Sequence, residues 1–222
     1  MFHSKSKQGN DYKKVLVGSD IGRYSLNWLS GEWLKYGPWL ARRKEKRFFS
    51  CDRLLVQRIR NLKLHRRLIA TFTNADYLNE AGISTFISKD NKYSLLYILG
   101  LLNSKLINLY FRENFFDTNI KPTDILKIPI RKINFDKVTP DNKKVIKEIK
   151  TTLFENKNVE KILSIIKAYL ERDETLIIHN IIRDLAQTMI SYNQDLTEET
   201  NGFLNWLITE IKFENFDIRK KS

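Results

Sequence analysis

The chain has 222 residues, with 39 Lys and Arg against 26 Asp and Glu, which gives a formal charge of +13 and an isoelectric point near 9.7. A chain of this length can enclose a core, either as one large domain or as two small ones, and its 42% of hydrophobic residues is typical of a globular protein. A positive excess of this size favours an acidic partner, and nucleic acid is the commonest such partner.

The cysteine and histidine content excludes several kinds of site. Cys51 is the only cysteine, so an internal disulfide and a cysteine-built zinc site are both impossible. The three histidines share no spacing typical of metal ligands. The first residues lack the apolar segment of a secretory signal, and the longest apolar run is interrupted well short of the ~20 residues that a membrane span needs. We therefore expect a cytoplasmic protein without membrane contact.

The positive charge is concentrated in the first third of the chain. Residues 1–71 contain 17 Lys and Arg against 5 Asp and Glu, whereas residues 72–140 contain 9 against 7 and residues 141–222 contain 13 against 14. The surface that meets a polyanion is therefore predicted in the first third.

The chain opens with a polar segment, residues 1–10, that we expect to be a disordered lead-in or a linker. The following sequence, KKVLVGSDIGRYSLNW, predicts a short strand, a turn at Gly18–Asp20 and a second extended piece. Arg23 after this turn fits two interpretations, a pairing with Asp20 and a contact with DNA.

A strongly basic ribbon is predicted next. Trp33, Tyr36 and Trp39 suit an irregular aromatic loop that packs into a core. Two runs of strand composition follow, residues 54–59 and 68–73, with a basic turn between them. Such a ribbon would present guanidinium groups, which bind both phosphate oxygens and the guanine edge, although a solvated charged face is the alternative. The candidate DNA contacts on it are Arg42, Arg43, Lys44, Lys46, Arg47, Arg58, Arg60, Lys63, Arg66 and Arg67.

The stretch of residues 93–130 organises the first part of the chain. It follows a short predicted strand at residues 85–88, and its apolar residues cover most of the circumference of a long helix, which predicts a helix buried in its own domain. A narrow polar stripe remains for water or a polyanion. A polar break then precedes an apolar segment, residues 125–130, in which Pro129 predicts an edge strand or a strand end. The stripe consists of Lys105, Asn108 and Arg112, and the break contains Asp117, Asn119 and Pro122.

The composition changes after Ile133 towards amphipathic helices with almost no net charge. Thr139 and Pro140 predict a helix start, as an N-cap and a first-turn proline. Apolar stripes predict three more helices, at residues 159–170, at about 174–192 and at about 200–213. This pattern indicates a helix bundle.

Two motifs carry a resemblance to a known family. The first is the run LLNSKLINLYF, followed after a variable loop by DILKIPI. The second is a strand followed by the matching residues Gly18, Asp20, Ile21, Arg23 and Tyr24. Both are similar to the C-terminal specificity domain of TaqI-like restriction-modification enzymes. Ser19 departs from the basic residue usual in that family, which weakens the prediction that the turn contacts DNA. Type I specificity subunits have a similar helix followed by a proline-containing strand, so the segment marks target-recognition domains in general.

The sequence lacks the elements of catalysis. It has no Pro-Pro pair, so the Asn/Asp-Pro-Pro-Tyr/Phe element of an adenine methyltransferase is absent. Pro140, Asp141, Glu148 and Lys150 resemble a metal-dependent nuclease pattern, but all four would lie on one helix rather than converge from neighbouring strands. We interpret them as a capped helix and predict that this chain holds no catalytic residue, cofactor or metal. Whether the parent protein is an enzyme stays open.

Together these observations predict an α+β fold in which a mixed β target-recognition domain with a long buried helix, residues 11–139, precedes a C-terminal helical segment, residues 140–222. That segment would dock on another module or space it. The resemblance implies recognition of a specific sequence in double-stranded DNA. It further implies N6-adenine methylation with S-adenosylmethionine by a methyltransferase module in cis or in trans, with or without Mg²⁺-dependent cleavage. A type I-like specificity subunit acting in trans and a non-catalytic nucleic-acid-binding remnant, including an RNA-binding one, are the alternatives. Arg23, Lys105 and Asn119 join the candidate DNA contacts.

Overall fold

The structure, a computed structural model, describes residues 2–40, 45–89, 92–137 and 142–211. Strands form its first part and helices the rest, which confirms the predicted α+β class. The strands in these ranges are β1 His3–Ser4, β2 Tyr12–Leu16, β3 Ile21–Gly22, β4 Ser25–Leu26, β5 Trp33–Lys35, β6 Arg53–Gln57, β7 Ala70–Thr73, β8 Leu78–Asn79 and β9 Ile83–Phe86. The α-helices are α1 Leu95–Leu102, α2 Lys105–Asn114, α3 Pro122–Ile125, α4 Asn142–Phe154, α5 Val159–Glu171 and α6 Thr175–Ile211.

Strand β6 is the centre of the fold. It pairs antiparallel with β7 on one side, where Arg53 lies opposite Thr73, and with β9 on the other. Leu54 and Val56 pack with α1 and α2, whereas Leu55 packs with the cluster around β2 and β9. Because both faces of β6 are covered, its sequence is an uninterrupted apolar run rather than an alternating one. The predicted ribbon is confirmed as the β6–β7 hairpin, although both strands are shorter than predicted.

A second sheet has the order β1-β5-β2-β8, and β2 leads from it into a single 3₁₀ turn and the β3–β4 hairpin. The Asp20 carboxylate in this turn is 1% exposed. It accepts hydrogen bonds from the N–H of Val17 (2.9 Å) and the hydroxyl of Ser30 (2.9 Å). Asp20 therefore closes the turn itself, and the predicted pairing with Arg23 is wrong because Arg23 donates to the carbonyl of Asn103 instead.

The long buried helix predicted in residues 93–112 is two helices, α1 and α2. Asn103 ends α1, and Ser104 begins α2 by accepting a hydrogen bond from the N–H of Ile107 with its side chain, as an N-cap does. Two leucines of α2 that were predicted to be buried are exposed, Leu106 by 73% and Leu109 by 49%. The predicted polar stripe is divided as well: Lys105 is exposed, Asn108 is buried and Arg112 pairs with Glu113.

The edge strand predicted at residues 125–130 is wrong. Pro122 lies in the first turn of the short helix α3, where its missing N–H forfeits no hydrogen bond. Ile125 and Ile128 are buried at a three-residue spacing, which is helical rather than alternating. The predicted helix start at Thr139 and Pro140 lies outside the described residues, and α4 follows.

Helix α6 is one continuous helix of 37 residues where two helices were predicted. Ile177 and Ile181 near its start pack with α4 and α5, whereas Ala186 packs in the core around α1. Gly100 permits the close approach of α1 and α6, since a Cβ there would lie 2.6 Å from Cγ2 of Ile182. The proposed domain boundary near residue 139 stays a prediction. Of the helices in the described ranges, none has both the length and the apolar composition for a bilayer span.

Candidate nucleic-acid interface

The loop that joins β6 to β7, residues 58–69 and called the hairpin loop below, is paired through its backbone with the segment that follows α2. The N–H of Arg60 donates to the carbonyl of Thr118 (2.9 Å). The N–H of Ile120 donates in return to the carbonyl of Arg58 (2.6 Å). These two bonds fix the start of the hairpin loop.

The side chains of Arg58 and Arg60 hold the same arrangement by donating to neutral oxygens. Arg58 donates to the carbonyl of Ala81 (3.0 Å) and to the side-chain oxygen of Asn119 (3.3 Å). Arg60 donates to the side-chain oxygen of Gln57 (2.9 Å) and to a backbone carbonyl of the hairpin loop (3.2 Å). Burial lowers the pKa of the Arg60 guanidinium, which nevertheless stays charged near neutral pH. Arg58, Arg60 and Asn119 thus have structural tasks, and their contact with DNA stays a prediction.

Gln57, the last residue of β6, connects the hairpin loop to the turn after β2. Its side-chain N–H groups donate to the carbonyls of Gly18 and Ile21, each at 2.6 Å. The N–H of Tyr24 donates to the carbonyl of Ala70 (3.1 Å), where the hairpin loop enters β7. The segment of residues 18–24, called the glycine motif below, and the hairpin loop therefore lie at one edge of the molecule.

Arg67 is buried, with 1% of its surface exposed. Its guanidinium donates to the carbonyls of Phe115 and Asp117 and lies 5.1 Å from the ring centroid of Phe111. Burial lowers the pKa of Arg67, an effect that the nearby Asp117 carboxylate partly opposes. A DNA phosphate cannot reach a guanidinium that is enclosed and occupied in this way. The prediction that Arg67 contacts DNA is therefore wrong, and its role is to hold the end of the hairpin loop.

The tip of the hairpin loop carries the accessible side chains. Lys63, His65 and Arg66 are exposed. Within the described part of the chain neither Lys63 nor Arg66 forms an ion pair. Leu62 and Leu64 alternate with them and are exposed by 41% and 39%. The tip therefore presents unpaired positive charge together with apolar surface.

Arg23 and Lys105 lie at the same edge. Arg23 donates to the carbonyl of Asn103 (3.2 Å), and its guanidinium lies 5.0 Å from the ring centroid of Tyr24. Lys105 follows Asn103 by two residues and is exposed. Burial raises the pKa of the Tyr24 hydroxyl, and the positive charges of Arg23 and Arg66 lower it in part. Arg66 lies near this turn because Arg60 donates both to the carbonyl of Arg66 and to the side chain of Gln57, which in turn binds Gly18. The basic edge is defined as Arg23, Lys63, Arg66 and Lys105.

The other predicted contacts do not join this edge. Lys46 and Arg47 lie in a 3₁₀ turn before β6, whereas the hairpin loop follows β6. Strand β6, which is about 17 Å long, lies between the two groups in the chain. Arg47 also pairs with Glu45 at 2.7 Å. The prediction that one side of the ribbon presents all of these arginines is therefore wrong. Arg42, Arg43 and Lys44 lie outside the described residues.

Two buried asparagines hold the strand next to this site: Asn103, which the sequence did not single out, and Asn108, which was predicted to lie on the polar stripe. The side chain of Asn103 accepts from the N–H of Ala70 (3.0 Å) and donates to its carbonyl (2.9 Å). The Asn108 side chain accepts from the N–H of Leu68 (2.8 Å). Both bind backbone groups at the outer edge of β7 and just before it, which would otherwise lack a strand partner. The sequence held one sign of this role, because both asparagines lie among the apolar residues of a predicted buried helix, where a polar side chain needs a hydrogen-bond partner.

The nuclease-like pattern is not assembled as a site. In the described part of the chain Glu148 pairs with Lys161 at 2.9 Å, and Lys150 pairs with Asp184 at 2.7 Å. Pro140 and Asp141 lie outside that part. Among the described residues no group of three or more His, Cys, Asp or Glu is arranged to hold a metal ion.

Comparison with known proteins identifies the family. The search of curated proteins gives no match. The family model of the TaqI-like C-terminal specificity domain matches residues 13–130, more than half of the chain, from β2 through α3 and the segment after it. This range contains the glycine motif, the hairpin loop and the whole basic edge. The chain therefore belongs to the family of TaqI-like C-terminal specificity domains, which recognise DNA sequence in restriction-modification systems.

Proposed function

We propose that the chain recognises a specific sequence in double-stranded DNA through the basic edge and the tip of the hairpin loop. A methyltransferase module outside the chain, in cis or in trans, then methylates N6 of an adenine at that site, with or without cleavage. The observation that supports the proposal is that some cationic side chains of the hairpin loop hold its structure, whereas others are exposed and unpaired. Arg58, Arg60 and Arg67 hold the hairpin loop, which leaves Lys63 and Arg66 free for a polyanion.

The electrostatics of the hairpin loop support duplex binding. The arginines that hold it donate to carbonyl and amide oxygens rather than to carboxylates, so their charges are not neutralised by ion pairs in the described part of the chain. Lys63, Arg66 and Lys105 add exposed charge. Positive potential accumulates at this edge, and DNA phosphates supply the compensating charge.

The chemistry of the tip supports sequence reading. Arg66 has a guanidinium fork that suits the O6 and N7 acceptors of guanine in the major groove. Leu62 and Leu64 suit the methyl group of thymine. Because the hairpin loop is held at both ends, these side chains meet the duplex without a large ordering cost. We assign Lys63 to phosphate binding and Arg66 to base reading.

The methyl transfer itself belongs to the other module. S-adenosylmethionine supplies the methyl group, and the Asn/Asp-Pro-Pro-Tyr/Phe element that would act on adenine has no counterpart in a sequence without a Pro-Pro pair. The task of this chain is to bind the duplex and to set which adenine faces the module. Co-purification with a separately encoded methyltransferase would identify action in trans, as in a type I-like specificity subunit.

Selection from randomised duplexes, followed by anisotropy titration with the enriched and a scrambled duplex, tests the proposal. The Lys63→Ala variant should bind both duplexes more weakly and reduce the salt slope of log K by about 0.9, because one phosphate contact is lost. The Arg66→Ala variant should reduce discrimination between the duplexes by about 1–3 kcal/mol, which a lost base contact costs. Lys167→Ala, at an exposed position of α5, is the matched control and should bind as the wild type does.

Three results would overturn the proposal. The first is that no sequence is enriched by the selection. The second is affinity that does not fall between low and physiological salt, since phosphate contacts require this loss. The third is duplex RNA competing as well as duplex DNA, which would favour the RNA-binding alternative because the deep, narrow major groove of A-form RNA does not admit the loop.

A further inference from the structure

The end of α6, residues 191–211 and called distal α6 below, leaves the core of the molecule. Ala186 is buried, and Met189 and Ile190 still pack against the main cluster. No residue of distal α6 joins a hydrophobic cluster of the described residues. One side of its first half borders a cavity, which Asn193 and Thr197 line together with Tyr24 and Phe72. Large apolar side chains that remain exposed on another side of the helix indicate a surface for another molecule.

The apolar side chains of distal α6 form a stripe on one side. Tyr192, Leu196, Phe203 and Trp206 recur at the spacing of one helix face and are exposed by 52%, 61%, 57% and 52%. The rings of Phe203 and Trp206 stack at a centroid distance of 5.9 Å. Phe154 at the end of α4 extends the surface by an edge contact with Tyr192 at 6.1 Å. At 1.5 Å per residue the stripe is about 21 Å long, which matches three to four turns of a partner helix.

The negative charge of distal α6 indicates which kind of molecule binds its apolar stripe. This range carries four carboxylates, on Asp195, Glu198, Glu199 and Glu210, and neither Lys nor Arg. Nucleic acid is excluded by charge. A second copy of the same face is disfavoured, because Glu199 and Glu210, which share the side of the stripe, would meet the same carboxylates of the other copy. A cationic partner is favoured by the same argument.

We propose that distal α6 docks an amphipathic helix of a partner protein whose apolar stripe is bordered by Lys and Arg. The apolar stripe supplies the contact area, with Phe203 and Trp206 as its aromatic anchors. Glu199 and Glu210 lie within or beside the stripe and set the preference for a positive partner. This inference goes beyond DNA recognition and uses no residue of the basic edge.

Two synthetic helical peptides with the same leucine stripe, one bordered by lysine and the other by glutamate, serve as probes in calorimetric titrations of the full chain. The lysine peptide should bind at least about tenfold more tightly than the glutamate peptide, as expected for complementary charge. The double variant Phe203→Ala/Trp206→Ala should weaken binding of the lysine peptide by at least about tenfold, since aromatic anchors dominate such contacts. Ile208→Ala is the matched control, because Ile208 is 56% exposed on another side of the helix and should leave binding unchanged.

Several outcomes would overturn the inference. Equal binding of both peptides or of neither would refute it, as would equal losses in the double variant and in the Ile208→Ala control. Sedimentation of the chain alone as a dimer that Phe203→Ala/Trp206→Ala dissolves would replace the partner with a second copy. DNA affinity measured on the same variants separates this test from the DNA proposal, because the basic edge is unchanged in all of them.

Discussion

Replacement of Arg67 by methionine tests whether buried arginines hold the hairpin loop. The change removes two hydrogen bonds from a charged donor to the carbonyls of Phe115 and Asp117. Each such bond contributes about 1.5–3 kcal/mol net, which gives about 3–6 kcal/mol for both. Relief from burying a cation offsets part of this loss. We expect the free energy of unfolding to fall by about 2–4 kcal/mol and the urea midpoint to fall by about 1–2 M.

Neighbouring substitutions supply the controls. Arg66→Ala removes an exposed charge and should change stability by no more than about 0.5 kcal/mol while it reduces DNA affinity. Arg67→Met should reduce both stability and DNA affinity, the latter because a loosened loop must be ordered on binding. Arg67→Lys should fall between methionine and the wild type, since one ammonium cannot span two carbonyls as a guanidinium fork does. Urea unfolding followed by tryptophan fluorescence measures stability, and anisotropy measures affinity.

An Arg67→Met variant that unfolds at the wild-type urea concentration would refute the structural role of Arg67. Destabilisation by Arg66→Ala that equals the effect of Arg67→Met would refute it as well. Hydrogen exchange of the segment after α2 gives an independent readout. Protection there should fall in Arg67→Met and stay unchanged in Arg66→Ala, because the side chain of Arg67 donates to that segment and the side chain of Arg66 is exposed.

Two further predictions concern the helical packing. Gly100→Ala should destabilise the protein by about 1–2 kcal/mol, because its Cβ would lie 2.6 Å from Ile182. Gly202→Ala, where no atom lies within 4 Å of the new Cβ, should stabilise the protein by about 0.5–1 kcal/mol through helix propensity. Urea midpoints of the two variants that move in the same direction would contradict this. His179 should make stability depend on pH, because burial lowers the pKa of its imidazole and the neutral ring accepts the N–H of Ser94 (3.1 Å). The unfolded chain binds the proton more readily, so this contribution is present above the ordinary pKa of about 6.5 and is lost as the pH falls below it. His179→Gln should flatten that part of the pH profile of the unfolding free energy, and an unchanged profile would exclude His179 as its source.

The sequence predicted the hairpin and its basic loop because strand composition and turn residues are local properties. It did not distinguish Arg66 from Arg67, although one is exposed and the other 1% exposed. A guanidinium binds a backbone carbonyl and a phosphate oxygen with the same geometry, so residue type leaves the choice open. The choice follows from the packing of α2 and the segment after it against the hairpin loop, which is a long-range property.

The helix boundaries were missed for different reasons. The break between α1 and α2 was readable, since Ser104 is a good N-cap, but the apolar periodicity on both sides outweighed it. The continuity of α6 was hidden by a polar stretch at residues 193–200, which contains no proline or glycine and so does not interrupt the helix. These residues are polar because the helix becomes exposed to solvent there, and the helix itself continues.

The hairpin loop is held largely by hydrogen bonds to main-chain carbonyls, and this affects how the sequence of the domain can evolve. Carbonyl oxygens persist whatever side chain a residue carries, so the fastening of the hairpin loop survives replacement of residues 61–66. Target preference and structural integrity thus rest on separate residues. A lineage can acquire a new recognition sequence through a few replacements at the tip, and an engineer can graft a foreign tip onto the same anchors.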